Sequence, residues 1–148
     1  TAITAQPMLF PPDTIKKLKN NTILVSYLEK IIEKSKRFKT GLGLIKDFIN
    51  AGGKIQLEIP AEKHIQKALA NGSLVLALLH AGALGSAEGT FHFVVVSGYK
   101  KNQVFINNPS QNSQRQGWVP LDAFLYGLHA STCADIDNGT LLIVSKKK

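Results

Sequence analysis

The sequence predicts an α+β domain, with N-terminal helices packed on an antiparallel sheet. Three observations point there. Helical periodicity dominates residues 13–50. Alternating or wholly apolar runs with β character dominate after residue 54, with one late helix. No repeat, low-complexity tract or internal linker divides the 148 residues, a length that suits a single core.

Residues 1–12 read as an arm, with Pro7, Pro11 and Pro12, and residues 13–148 as the domain proper. Asp13 suits the start of a short helix through Asn20, because its carboxylate can accept the orphan amides of a first turn. Ile23, Leu24, Tyr27, Leu28, Ile31 and Ile32 recur at helical spacing and predict a longer helix. Glu29, Lys30, Glu33 and Lys34 fall on its other side. The next helix runs from Thr40 through Ile49 and ends at Gly52-Gly53.

The pattern then changes. Ile55, Leu57 and Ile59 alternate with polar residues, as in a strand with one buried face. Pro60 suits a helix start, and the segment 61–72 is a helix stopped by Asn71-Gly72. "SLVLALLHAG" is a strand apolar on both faces. "FHFVVVSGY" and "QVFINN" are two more, joined by a tight turn at Lys100-Lys101-Asn102. "VPLDAFLYGLH" reads as helix, and "GTLLIVS" as a last, central strand.

Composition narrows the functional classes. The apolar fraction of 44% is that of a globular protein. No apolar run reaches the roughly 18 residues that a membrane span needs. No signal peptide is visible, and the run opens at Thr1 without an initiator Met, as a processed or trimmed chain does. The compartment is left open. The net charge of +8 is concentrated in the first forty residues and in Lys146–Lys148, a field that attracts acidic peptides, nucleic acid or anionic lipid. A solvated helical face explains the same lysines. No zinc-finger spacing or RNA-binding signature accompanies them. The single cysteine, Cys133, forms neither an internal disulfide nor a metal cluster, and the four histidines show no metal-binding spacing. No cofactor is implied.

One stretch carries chemistry: "GTFHFVVVSGYKKNQVFINNPS", Gly89 to Ser110. A hairpin turning near Lys100-Lys101 brings Asn108 within one or two residues of His92. Side chains facing each other across strands lie about 4.5–5.5 Å apart at Cβ. An imidazole and an amide at that separation can hydrogen-bond. A histidine base needs one nitrogen for the nucleophile and a third group to hold the other. Asparagine can be that group. A lone histidine at a strand end is also an ordinary structural hydrogen bonder. His64 reads as lying on an exposed helix face, His80 ends a strand and His129 ends a helix.

These residues resemble a known family. "NGSLVLALL", "HFVVVSGY" and "VFINNP" are similar to the second half of the papain-like cysteine peptidase domains that cut leader peptides at double-glycine sites. Such domains belong to bacteriocin-processing transporters, and soluble peptidase-like relatives share the pattern. The earlier "GLGLIKDFINAGGKIQLEI" resembles the helix and strand that precede it. The likeness spans residues 40–145 and is sharpest from His92 to Pro109. It implies a papain-like architecture, His92 as the catalytic base and Asn108 in the place of the family's orienting aspartate. It also implies a cysteine upstream of the histidine, with a glutamine before it for the oxyanion. Gln6 lies early in the chain, but no cysteine precedes Cys133. A thiolate is the attacking species, so this chain alone lacks the means to cleave by that mechanism.

Four readings compete. One is a peptidase whose nucleophile segment lies upstream. Another is a pseudopeptidase that binds peptide or protein segments, acidic ones favoured, in a cleft near His92 without cutting them. A third is a basic module for nucleic acid or an anionic membrane surface. The fourth, hydrolysis by Thr1 with its own amine as base, is opposed by the Pro-rich arm. The resemblance favours the peptidase fold with its activity lost.

Overall fold

The computed structural model describes residues 1–4, 10–34, 39–85, 91–109, 116–130 and 139–146. Gln6, residues 86–90 and Cys133 lie outside them. The fold is α+β. Its sheet has seven strands in the order β2-β1-β7-β3-β4-β5-β6. The strands are β1 (Ala2–Thr4), β2 (Ile55–Leu57), β3 (Leu74–His80), β4 (Phe91–Lys100), β5 (Gln103–Asn107), β6 (Gln116–Pro120) and β7 (Leu141–Val144). β1 and β2 run parallel, and the other neighbours are antiparallel. β7 sits between β1 and β3, the interior place its wholly apolar sequence calls for.

The helices are α1 (Pro12–Ile15), α2 (Asn21–Lys34), α3 (Lys39–Asn50), α4 (Glu62–Ala70) and α5 (Leu121–His129). α4 and α5 cover one face of the sheet. The core between them is built from Val75, Ala77 and Leu79 of β3, Val94 and Val96 of β4, and Ile65, Phe124 and Leu128 of the helices. Gly127 allows α5 to approach closely, since a Cβ there would meet the Cβ of Ala83 at 2.6 Å. α2 and α3 do not cover the sheet. They form a second, smaller core from Phe10, Leu24, Leu28, Leu42 and Ile49, into which Ile55 and Leu57 of β2 project. The expectation of N-terminal helices lying on the sheet is therefore corrected. They pack on each other and on its β2 end.

Residues 2–4, read as part of an arm, form β1 inside the sheet, with Ile3 1% exposed. Pairing with β2 on one side and β7 on the other overrides the brevity of the run. Asp13 does not cap a helix reaching Asn20, because α1 is a single turn with no side-chain cap. The cap is Asn20 itself, whose Oδ1 accepts from the Ile23 amide at 3.0 Å and starts α2. α3 ends as expected. Gly52 takes a left-handed φ of 88°, and the amides of Gly52 and Gly53 reach back to the Ile49 and Phe48 carbonyls. The segment 116–120, partly read as helix, is β6, paired along its length with β5.

No described helix covers the second face of the sheet. Leu74, Phe91, Phe93, Trp118 and Val144 are its most exposed large apolar side chains, Phe93 at 54%. The alternation of β3 is thus a gradient: Val75, Ala77 and Leu79 are fully buried, whereas Leu76 and Leu78 on the other face are half-buried.

Candidate functional site

The β4–β5 hairpin positions both residues singled out in the sequence. Its turn places Lys101 and Asn102 at φ 45° and 59°, the paired left-handed conformation of a two-residue hairpin loop. From there the ladder pairs Lys100 with Gln103 and runs to Val95 with Asn107, interrupted by a bulge between Val96 and Gly98. One step further puts Asn108 level with Val94, two residues short of His92. The alternation of burial puts His92 with Val94 and Val96 on the face covered by helices. Asn108 continues the buried face of Val104 and Ile106 and is 5% exposed. The two residues therefore share a face and an end of the sheet, as diagonal neighbours on adjacent strands.

The hydrogen bonding of the His92 ring is unlike that of the other histidines. His92 Nε2 is buried and has no hydrogen-bond partner among the described residues. No amide, hydroxyl or thiol in the described structure reaches that nitrogen. The preceding amide has a different role, with Asn107 Nδ2 donating to Ser97 Oγ at 2.9 Å on the open face. The paired asparagines thus split, one to each face of the sheet.

The other three histidines have local partners. His64 is buried, not exposed as the sequence suggested. Its Nδ1 accepts from the Ala61 amide at 3.0 Å, which places the proton on Nε2, and Nε2 donates to Glu58 Oε2 at 3.1 Å. It closes the N-terminus of α4 in the manner of a capping box. His80 Nδ1 accepts from the Gly82 amide at 3.2 Å. His129 Nε2 donates to the Pro60 carbonyl at 3.0 Å. Each of these rings joins elements of the fold. His92 Nε2 joins no other described residue.

A second feature lies at the opposite end of β3. A groove of about 980 Å³ opens beside the end of α4, with Ile3, Ala68 and Ile143 among its apolar lining and Lys63, Lys67 and Lys146 among its polar lining. Ser73, at the start of β3, shares a 2.7 Å hydrogen bond with Ser145. Glu58 is held by Lys63 at 2.7 Å, by His64 and by Gln56. The hydrogen bond from Lys63, then those from Gln56 and His64, lowers its carboxyl to about 2. Six residue steps from Ser73 to Leu79 span about 20 Å, so the groove and His92 are separate sites. The signal for the groove was present in the spacing of Lys63 and Lys67, one helical turn apart, but the partner strands were not local to it.

Among the described residues, no group of three or more His, Cys, Asp or Glu is placed to hold a metal ion. No described helix is long and apolar enough to cross a membrane. Against family models, curated proteins and solved structures alike, the chain shows no match.

Proposed function

We propose that this chain is a papain-like, peptidase-type domain that holds an extended peptide or protein segment beside His92 without cutting it. One observation carries the reading. Of four histidines, His92 alone keeps a buried ring nitrogen with no partner among the described residues, and it shares a face and an end of the sheet with Asn108. A buried polar atom without a partner is costly, so its persistence is accounted for by a role outside the fold. A ligand carbonyl or amide would supply the missing hydrogen bond. The order of helix, strand, helix and hairpin resembles the leader-peptidase pattern, which gives the ligand class.

Strand spacing limits how the ligand lies. β6 ends the sheet, and a peptide added to its free edge would stand three strand spacings, about 14 Å, from β4. That is beyond reach of the ring. The ligand therefore crosses the strand ends near His92 and Asn108, as a segment does in a cleft. The basic surface favours acidic sequences at low salt. With no cysteine before Cys133 in this sequence, no cleavage by a thiolate is expected of this chain.

Two assays test the reading. In the first, the chain is incubated with a peptide library and new termini are sought. None dependent on His92 is expected, and termini that vanish in His92→Ala overturn the inactive assignment. The second measures peptide affinity at low and moderate salt. Binding that weakens with salt but persists supports the proposal. No peptide binding at any salt, with tight DNA or lipid binding instead, overturns it in favour of a basic nucleic-acid or membrane module.

A further inference from the structure

The groove at the other end of β3 has the composition of a ligand site. Its volume of about 980 Å³ lies at the upper end of the range for small-molecule pockets. Ile3, Ala68 and Ile143 supply an apolar lining. Two polar residues that also line it, His64 and Ser73, are buried at 5% and 6% exposure and already hydrogen-bonded, so that wall is fixed. Around this stand three lysines, Lys63 and Lys67 on α4 and Lys146 two residues past β7.

Their charges are not equivalent. Lys63 is committed to Glu58. Lys67 and Lys146 form no ion pair among the described residues. Glu58 is in turn shared by Lys63, Gln56 and His64, so its negative charge is largely answered within the groove wall. The C-terminus of α4 adds about half a negative charge, which Lys67, in its last turn, offsets. Beside the Thr1 amine, which donates to the Ile143 carbonyl at 2.9 Å, there remain Lys146, the positive excess of Lys67, and the donors of Asn71 and Ser145. The surplus is of donors and positive charge, which calls for a ligand that brings acceptors and negative charge.

We propose that this groove binds a soluble small molecule bearing a phosphate group, the phosphate lying between Lys67 and Lys146 and the organic body on the apolar lining. Lysine acts toward phosphate as a point charge without a bidentate geometry requirement, which suits two flexible side chains from separate stretches of the chain. A concave groove admits a free ligand, whereas the flat surface of a bilayer does not enter it.

The test is calorimetric titration of the full chain with inorganic pyrophosphate at low salt, alongside nuclear magnetic resonance mapping of backbone amides. Saturable binding is expected, with shifts centred on Asn71–Ser73 and Ile143–Ser145. The double variant Lys67→Ala/Lys146→Ala should weaken binding by about tenfold or more, while Lys19→Ala/Lys30→Ala, with the same loss of charge just before and within α2, should change it less than about twofold. Glu58→Gln should tighten binding about threefold, because it removes the carboxylate and releases Lys63. A thermal melt checks that this variant is folded, and if it is not, the two lysine pairs decide alone. Equal losses in both lysine pairs, or no saturable binding, overturn the proposal. So does binding to phosphatidic acid vesicles that depends on Lys67 and Lys146 in the absence of pyrophosphate binding.

Discussion

The two ends of β3 treat polar groups in opposite ways. At the Ser73 end the polar groups of the wall are joined to one another. Ser73 bonds Ser145, and Glu58 gathers Lys63, His64 and Gln56. At the far end, level with Leu79, His92 keeps a buried nitrogen with no described partner. The first end shows how this chain satisfies a histidine when the ring serves the fold, as His64 closes α4. The second shows a ring whose partner the described fold does not supply. His64 is the more buried residue of the two, yet the buried atom without a described partner is His92 Nε2.

The comparison of the two sheet faces is the place where the largest effect is expected. Phe124 is fully buried between α5 and the sheet, whereas Phe93 stands on the open face. Phe124→Ala should cost roughly 3–5 kcal/mol in urea unfolding, through lost burial and the cavity left behind. Phe93→Ala, with more than half of its surface already in water, should cost under about 1 kcal/mol. A large loss from Phe93→Ala would mean that the open face is covered in solution.

Overpacking comes next. Gly127→Ala puts a methyl 2.6 Å from the Cβ of Ala83, so α5 must move off the turn below it. A loss of about 1–3 kcal/mol is expected in the same unfolding assay. Unchanged stability would show that the close approach of α5 is dispensable.

The histidines provide the sharpest contrast. His64→Leu removes the acceptor for the Ala61 amide and the donor to Glu58. It should cost about 1–2 kcal/mol, as for loss of an N-terminal cap. His92→Leu replaces an unpartnered buried ring atom with an apolar group, and stability should be unchanged or slightly raised. A loss from His92→Leu as large as that from His64→Leu would make His92 structural.

The smallest effect is the acid limb. Glu58 has its carboxyl lowered to about 2 from an ordinary value of 4.5, chiefly by Lys63. A depressed carboxylate stabilises the fold above its unfolded value, and that contribution fades as pH falls from about 4.5 toward 2. Because the carboxylate is 41% exposed, the contribution is modest. Thermal melts should show Glu58→Gln with a shallower decline over that window than the native chain. Identical slopes would show that Glu58 does not contribute to acid lability.

What the sequence disclosed follows from how local each signal was. The α2 and α3 periodicities, the Gly52-Gly53 stop and the hairpin turn at Lys101-Asn102 are encoded within a few residues, and each was legible. The shared face of His92 and Asn108 was legible too, because a hairpin register follows from its turn. β1 was hidden because three residues gain strand identity only from partners more than fifty positions away. β6 was hidden because Trp118 and Val119 carry no local cue that separates them from the helix beginning at Leu121. The burial of His64 was misread because its partner Glu58 precedes the helix and lies off its periodic face.

The central claim is that His92 is kept for a ligand rather than for the fold. The most direct measurement takes peptides selected on the native chain and compares their dissociation constants for native protein and His92→Leu, with melting temperatures recorded in parallel. Affinity should fall by about tenfold or more, the loss of one buried hydrogen bond and its packing, while the melting temperature holds or rises. Unchanged affinity, or an affinity loss that only follows a drop in melting temperature, would contradict it.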